Sequence, residues 1–307
     1  MAFDAFALII VMLGIGMVLG RSGMLDAAGA EALNKVVLYV CLPAAVLRYA
    51  PQLTLEPALL GVIAVPWLLL VPVVPLIVWL GRRLAWRRDQ VAALLVLVLL
   101  GNTSFIGYPL IRALLGDDAL PYAVVYDQFG SFLIISSYGL YVLARYSGEH
   151  TPSAREIAGR VLRFPPFLAM LLAFTVMPAD PPEFIANGLQ KLADALPLLA
   201  MLAIGVTLRL RLARAELQPL VAGLSLKLVL MPALAWGLAI AMGLPDLMTR
   251  AAVLESAMPP MITAAALVIA HRLAPALASA MIGYGIAVSL LTVPLWAWVL
   301  SHSVLAG

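Results

Sequence analysis

What most constrains this chain is the spacing of its charges. Clusters of arginine and aspartate are separated by apolar runs of roughly 20 residues, the length an α-helix needs to cross about 30 Å of hydrocarbon. Hydrophobic residues make up 64% of the sequence and charged residues 11%, against about 45–50% and about 25% in a soluble domain. The fold class this implies is an all-α polytopic membrane protein. The formal net charge of +3 sits mainly in connecting segments, where it orients the chain in the bilayer rather than attracting nucleic acid. Cys41 is the only cysteine, so no disulfide forms within one chain.

Turn and charge punctuation gives ten spans: Phe6–Leu19, Asn34–Tyr49, Ala58–Leu80, Val91–Leu115, Leu120–Ala144, Phe164–Met177, Ile185–Leu208, Leu217–Met242, Leu247–His271 and Leu273–Leu300. The first has no preceding basic residue and no small-x-small site after it, so it reads as a span and not as a cleaved signal. Segments after odd-numbered spans carry Arg21, Arg82, Arg83, Arg87, Arg88, Arg145, Arg155, Arg160, Arg163, Arg209, Arg211, Arg214 and Arg272. The others carry only Arg48 and Arg250 at their edges. Basic segments stay in the cytoplasm, which places both termini outside.

Two spans are interrupted. GNTSFIGYPLIR (Gly101–Arg112) breaks the fourth, and AMPPMIT (Ala257–Thr263) breaks the ninth. LNKVVLYVCLP in the second span is echoed by LQKLADALP in the seventh. A period of five spans, an odd number, makes the second half inverted relative to the first, with residues 1–148 as one five-helix repeat and 149–307 as the other. Backbone freed at the breaks cannot face lipid, so it must line a cavity. Pro109 and Pro260 suit the first position of new half-helices, whose N-termini would meet near mid-membrane and favour an anion. Asn102, Thr103, Ser104 and Gly107 on one side, with Ser256, Pro259 and Thr263 on the other, complete the expected substrate site.

Three ionisable residues fall inside spans: Asp127, Lys227 and Glu255. Such groups are costly in lipid and commonly belong to ion or proton pathways. Asp127 is expected to pair with Lys227, and Glu255 to be the coupling acid, because it lies about one turn before the second break. A structural ion pair is the alternative. His150, His271 and His302 have no metal-ligand spacing, and Arg112 is expected to reach outward to the interface. No Walker-type loop is present, so nothing indicates ATP-driven transport.

The segments IGMVLGRSGMLDAAGAEALNKVVLYVCLPAAVL, GNTSFIGYPLIRALLG, VVYDQFGSF and ESAMPPMITAAALVIA, followed by LASAMIGYGIAVSLLTVPLW, together resemble the auxin efflux carrier family over nearly the whole chain. The resemblance implies ten helices in two inverted repeats with the fourth and ninth broken and crossing, a fold shared with bile-acid sodium symporters and sodium/proton antiporters. It further implies a scaffold of spans one, two, six and seven, with a moving transport domain made of the others. Asn102 and Pro109 match the first crossover and Pro259 and Pro260 the second, while Thr263 stands where bacterial relatives often have asparagine.

The expected function is therefore secondary active transport of small organic anions, mono- or dicarboxylates, across a bacterial-type plasma membrane. No cofactor or metal is expected beyond a coupling proton or sodium ion. The expected partners are the substrate, membrane lipid and a second copy of the chain. A sodium-coupled symporter and a passive anion channel are the alternatives. An intramembrane aspartyl enzyme would need a second aspartate in a span context comparable to that of Asp127, and none stands there.

Overall fold

The structure, a computed structural model, describes residues 2–53, 56–148, 153–208 and 214–303. His150, Arg209, Arg211 and the boundary expected at residue 149 lie outside the described residues. The chain forms α1 (Ala2–Arg21), α2 (Ala27–Gln52), α3 (Pro57–Arg83), α4 (Arg88–Leu97), α5 (Thr103–Leu115), α6 (120–147) and α7 (Ala154–Val161). It continues through α8 (Pro165–Thr175), α9 (Glu183–Thr207), α10 (Arg214–Ala241), α11 (Asp246–Ser256), α12 (Ile262–Ala270) and α13 (Pro275–His302).

Five of these, α2, α3, α9, α10 and α13, are long and apolar enough to cross a membrane. A sixth arises if α7 and α8, bent by 71° at a short break, count as one span. This overturns the expectation of ten spans in two inverted five-helix repeats. An apolar run is not one continuous helix. The run Val91–Leu115 is divided by residues 98–102, and Leu247–His271 by residues 257–261. The pieces α4, α11 and α12 have 10, 11 and 9 residues; at about 1.5 Å per residue none reaches the roughly 30 Å of hydrocarbon.

Several helices contain a wide π-helical turn, and proline explains three of them. Pro43 follows the turn Val37–Cys41, Pro109 follows Thr103–Gly107, and Pro232 follows Leu226–Leu230, each two residues past the turn's last residue. Proline lacks the N–H that would close an ordinary turn and its ring presses on the carbonyl four residues back, so the preceding turn opens. The turn Tyr126–Ser131 in α6 has another setting: Trp67 of α3 donates its indole N–H to the Phe129 carbonyl at 2.9 Å, and Gly130 packs against Pro66.

Helices α1, α2, α8 and α9 form one packed group and α3, α4, α6 and α10–α13 a second; α5 touches both, and α6 also reaches α2 and α8. The tightest contact is between α1 and α9. A Cβ on Gly16 would lie 2.4 Å from the Leu202 carbonyl oxygen, one on Gly20 2.5 Å from that of Val206, and one on Gly205 2.3 Å from that of Leu13. Glycines four residues apart let two backbones touch directly, which is how membrane helices gain packing energy without a hydrophobic driving force. At one end of the second group, Arg87 binds Asp89 and Glu216, and Gln90 donates to Glu216 at 2.8 Å, tying α4 to α10. Hydrogen bonds from Arg87 to Asp89 and then to Glu216 hold its guanidinium above the usual arginine range.

Candidate functional site

Irregular backbone inside an apolar protein must find partners for its N–H and C=O groups. Here the two breaks satisfy each other. Asn102 donates its backbone N–H to the Pro259 carbonyl at 2.7 Å, Met261 donates to the Leu100 carbonyl at 2.9 Å, and Gly101 faces Pro260 in a short antiparallel bridge. The half-helices begin elsewhere than the prolines indicate. Asn102 caps α5, its side-chain oxygen accepting the Phe105 N–H at 3.2 Å, so the helix starts at Thr103 and Pro109 falls after the wide first turn. Pro260 belongs to the bridge, and α12 starts at Ile262.

Both first turns line one cavity of about 300 Å³. Asn102 and Ser104 enter it from the first break, Thr263 from the second, and Asp127 from α6. Phe105, Ile135 and Leu267 are among its apolar walls, and Arg160 of α7, an exposed residue, carries it to the surface. The opening N–H groups of a helix have no intrahelical partners and carry partial positive charge, so two such turns on one cavity favour a negative group there. The buried side-chain nitrogen of Asn102 has no hydrogen-bond partner and is free to donate.

Asp127, 1% exposed, is held by four donors. Thr103 donates to one carboxylate oxygen, Ser104 reaches both at 2.7 Å, Tyr108 donates at 3.0 Å and Gln128 at 2.8 Å. Thr103 thus supports the acid and does not line the cavity. The expected pairing of Asp127 with Lys227 is not made. Lys227 donates instead to the Ser256 carbonyl at 3.1 Å, where a cation meets the C-terminal end of α11. Ser256 turns its hydroxyl to the Val253 carbonyl at 2.7 Å and lies off the cavity.

Glu255 is fully buried, and neither carboxylate oxygen has a hydrogen-bond partner. It packs against the first turn of α5: a Cβ on Gly107 would lie 2.5 Å from one carboxylate oxygen and 2.8 Å from the other. Gly107 is therefore the floor on which Glu255 rests. No ion pair joins Glu255 or Asp127 to Lys227 among the described residues.

Sequence reasoning missed Arg160, Tyr108 and Gln128. Their contacts depend on the bend before α8 and on the wide turns in α5 and α6, which apolar periodicity does not register. Arg112, expected to reach outward, is partly exposed and binds Asp117 at 2.7 Å and Asp194 of α9. Gln190 donates to Asp194 and to the Tyr49 hydroxyl, both at 2.9 Å. Pro109 lines a small cavity of about 30 Å³ beside Arg112 and Tyr49, separate from the larger one. Among the described residues no group of three or more His, Cys, Asp or Glu is placed to hold a metal ion.

The family described as Membrane transport protein matches residues 1–159 and 154–297 of the chain. An uncharacterized transporter of Methanothermobacter thermautotrophicus is 29% identical over 303 residues, which cover 95% of this chain and 96% of that protein. An uncharacterized transporter of Methanocaldococcus jannaschii is 25% identical over 307 residues, covering 97% and 98%.

Proposed function

The chain belongs to the membrane transport protein family, and from that premise we propose that it is a secondary active transporter of small organic anions, mono- or dicarboxylates. It is a transport protein and not an enzyme. The observation that carries the reading is the meeting of two first helical turns and the Asn102 side chain on one cavity, with the Arg160 guanidinium at its surface. A carboxylate is the small group best served by that combination of partial positive charge, neutral donors and a cation. The likeness to auxin efflux carriers in GNTSFIGYPLIR and ESAMPPMIT supports the same reading.

Asp127 is the coupling acid in this proposal. It shares the cavity with the substrate and would repel an anion unless a proton or a cation neutralised it, whereas Glu255 lies off the cavity. Sodium is the second reading, favoured by the hydroxyl oxygens of Thr103, Ser104 and Tyr108 around the carboxylate. The packed group of α1, α2, α8 and α9 serves as scaffold and the second group moves against it, with α5 between them. The arginine-rich segments are assigned to the cytoplasmic face of the plasma membrane.

Counterflow in proteoliposomes tests this. Vesicles preloaded with unlabelled carboxylate are expected to take up the same labelled carboxylate faster than empty vesicles. Equal rates would identify a passive anion channel, and no uptake of any mono- or dicarboxylate would reject the substrate class.

A further inference from the structure

Helix α7 differs from the rest of the chain in being short, basic and exposed. Ser153 caps it: its hydroxyl accepts the Glu156 N–H at 3.3 Å, and the Glu156 carboxylate accepts the Ser153 N–H at 2.7 Å. That exchange engages the helix's acidic side chain at the cap. Arg155, Gly159 and Arg160 of the helix and Leu162 and Arg163 just past its end line a shallow surface hollow of about 620 Å³, with Glu156, engaged at the cap, also on its wall. A Cβ on Gly159 would meet nothing within 4 Å, so the floor is open. None of the three arginines forms an ion pair among the described residues. Leu162, in the same hollow, is 55% exposed.

The bend of 71° between α7 and α8 sets the hollow's surroundings. With the apolar α8 directed into hydrocarbon, α7 lies close to the plane of the interface, the placement of a basic amphipathic helix at a membrane surface. Arginine forks match phosphate oxygens, and their stems reach along the interface while the heads stay at headgroup level. We propose that this hollow seats the headgroup of an acidic phospholipid, with Arg155, Arg160 and Arg163 around the phosphate and Leu162 against the acyl chains. Arg160 is shared with the transport cavity, but the lipid site is argued from Arg155, Arg163 and the bend before α8 and does not rest on the transport reading.

Native mass spectrometry of the full-length protein, released from micelles holding equal phosphatidylglycerol and phosphatidylcholine, tests the site. Arg160 also lines the inner cavity, so the variants use its neighbours. The protein is expected to retain phosphatidylglycerol preferentially, and Arg155→Gln with Arg163→Gln to weaken that retention about tenfold or more, on the scale of basic residues near a charged membrane. Arg155→Lys with Arg163→Lys should restore most of it, since charge is kept. Gly159→Phe, which fills the floor with no change of charge, should weaken it as well. Retention unchanged in both the glutamine double variant and Gly159→Phe overturns the proposal. So does displacement of the lipid by millimolar inorganic phosphate, which would make the hollow a site for a soluble anion.

Discussion

Asn102 and Pro259, 157 positions apart in sequence, are joined by a backbone hydrogen bond of 2.7 Å, and the neighbouring Met261–Leu100 bond of 2.9 Å closes the pair. The two breaks are thus one structural unit. Met261 has φ −69°, an angle that proline adopts without strain. Met261→Pro should therefore delete one hydrogen bond with little other change to the backbone. Leaving the Leu100 carbonyl unpaired is expected to lower stability by about 1–3 kcal/mol, read as a fall in melting temperature in detergent. A variant as stable as the parent would mean that water replaces the bridge.

Asn102 has two separable duties. Its side-chain oxygen caps α5, and its nitrogen is unpartnered. Asn102→Ser keeps a cap acceptor and removes the amide nitrogen without adding charge. Stability should stay close to the parent's, while affinity for a transported carboxylate, measured by competition for uptake, should fall by about tenfold or more. Affinity unchanged would confine the amide to its capping role.

The two buried acids should respond differently to neutralisation. Asp127→Asn is expected to retain exchange of substrate across the vesicle membrane but to lose accumulation driven by a proton or sodium gradient. Glu255→Gln is expected to keep gradient dependence, because Glu255 lies off the cavity. The opposite pattern would reassign coupling to Glu255.

Gly107 and Glu255 should show strong energetic interaction. Gly107→Ala alone forces the carboxylate off its seat, an overpacking expected to cost about 1–3 kcal/mol. In a Glu255→Ala background the same substitution should cost much less. A double-mutant cycle in melting experiments reads the difference directly; additive effects would show that the carboxylate moves aside freely.

Orientation is tested by chemistry from outside the cell. In a Cys41→Ala background, a cysteine replacing Arg87, just past the end of α3, should resist an impermeant thiol reagent in intact cells, and one replacing Glu56, just before its start, should react. The reverse result inverts the chain in the membrane.

The sequence makes the site more legible than the architecture. Glycine, proline and amide side chains inside apolar runs mark both breaks, and Asn102, Ser104 and Thr263 do come to one cavity. Counting apolar residues, however, cannot distinguish a continuous helix from two short ones, which is why ten expected spans give way to five or six among the described residues. Partner choice among the buried charges was hidden for a different reason. A wide turn adds a residue to the helix and rotates everything after it by about 100°. Asp127 and Lys227 both sit in such turns, so the faces they present are not those of an ordinary helix. The proline two residues past the turn is a usable signal for Lys227; Leu133 stands at that place after the turn that holds Asp127.

The glycine contact between α1 and α9 has a mechanical meaning. Helices separated by side chains can slide, because rotamers yield; helices touching through carbonyl oxygens and bare Cα atoms cannot, since a shift of one residue drives a Cβ into backbone. These two helices are keyed together like meshed teeth, and their relative register is fixed through any cycle the transporter runs. Any displacement between helices is then expected at softer, side-chain-filled surfaces and not at this contact.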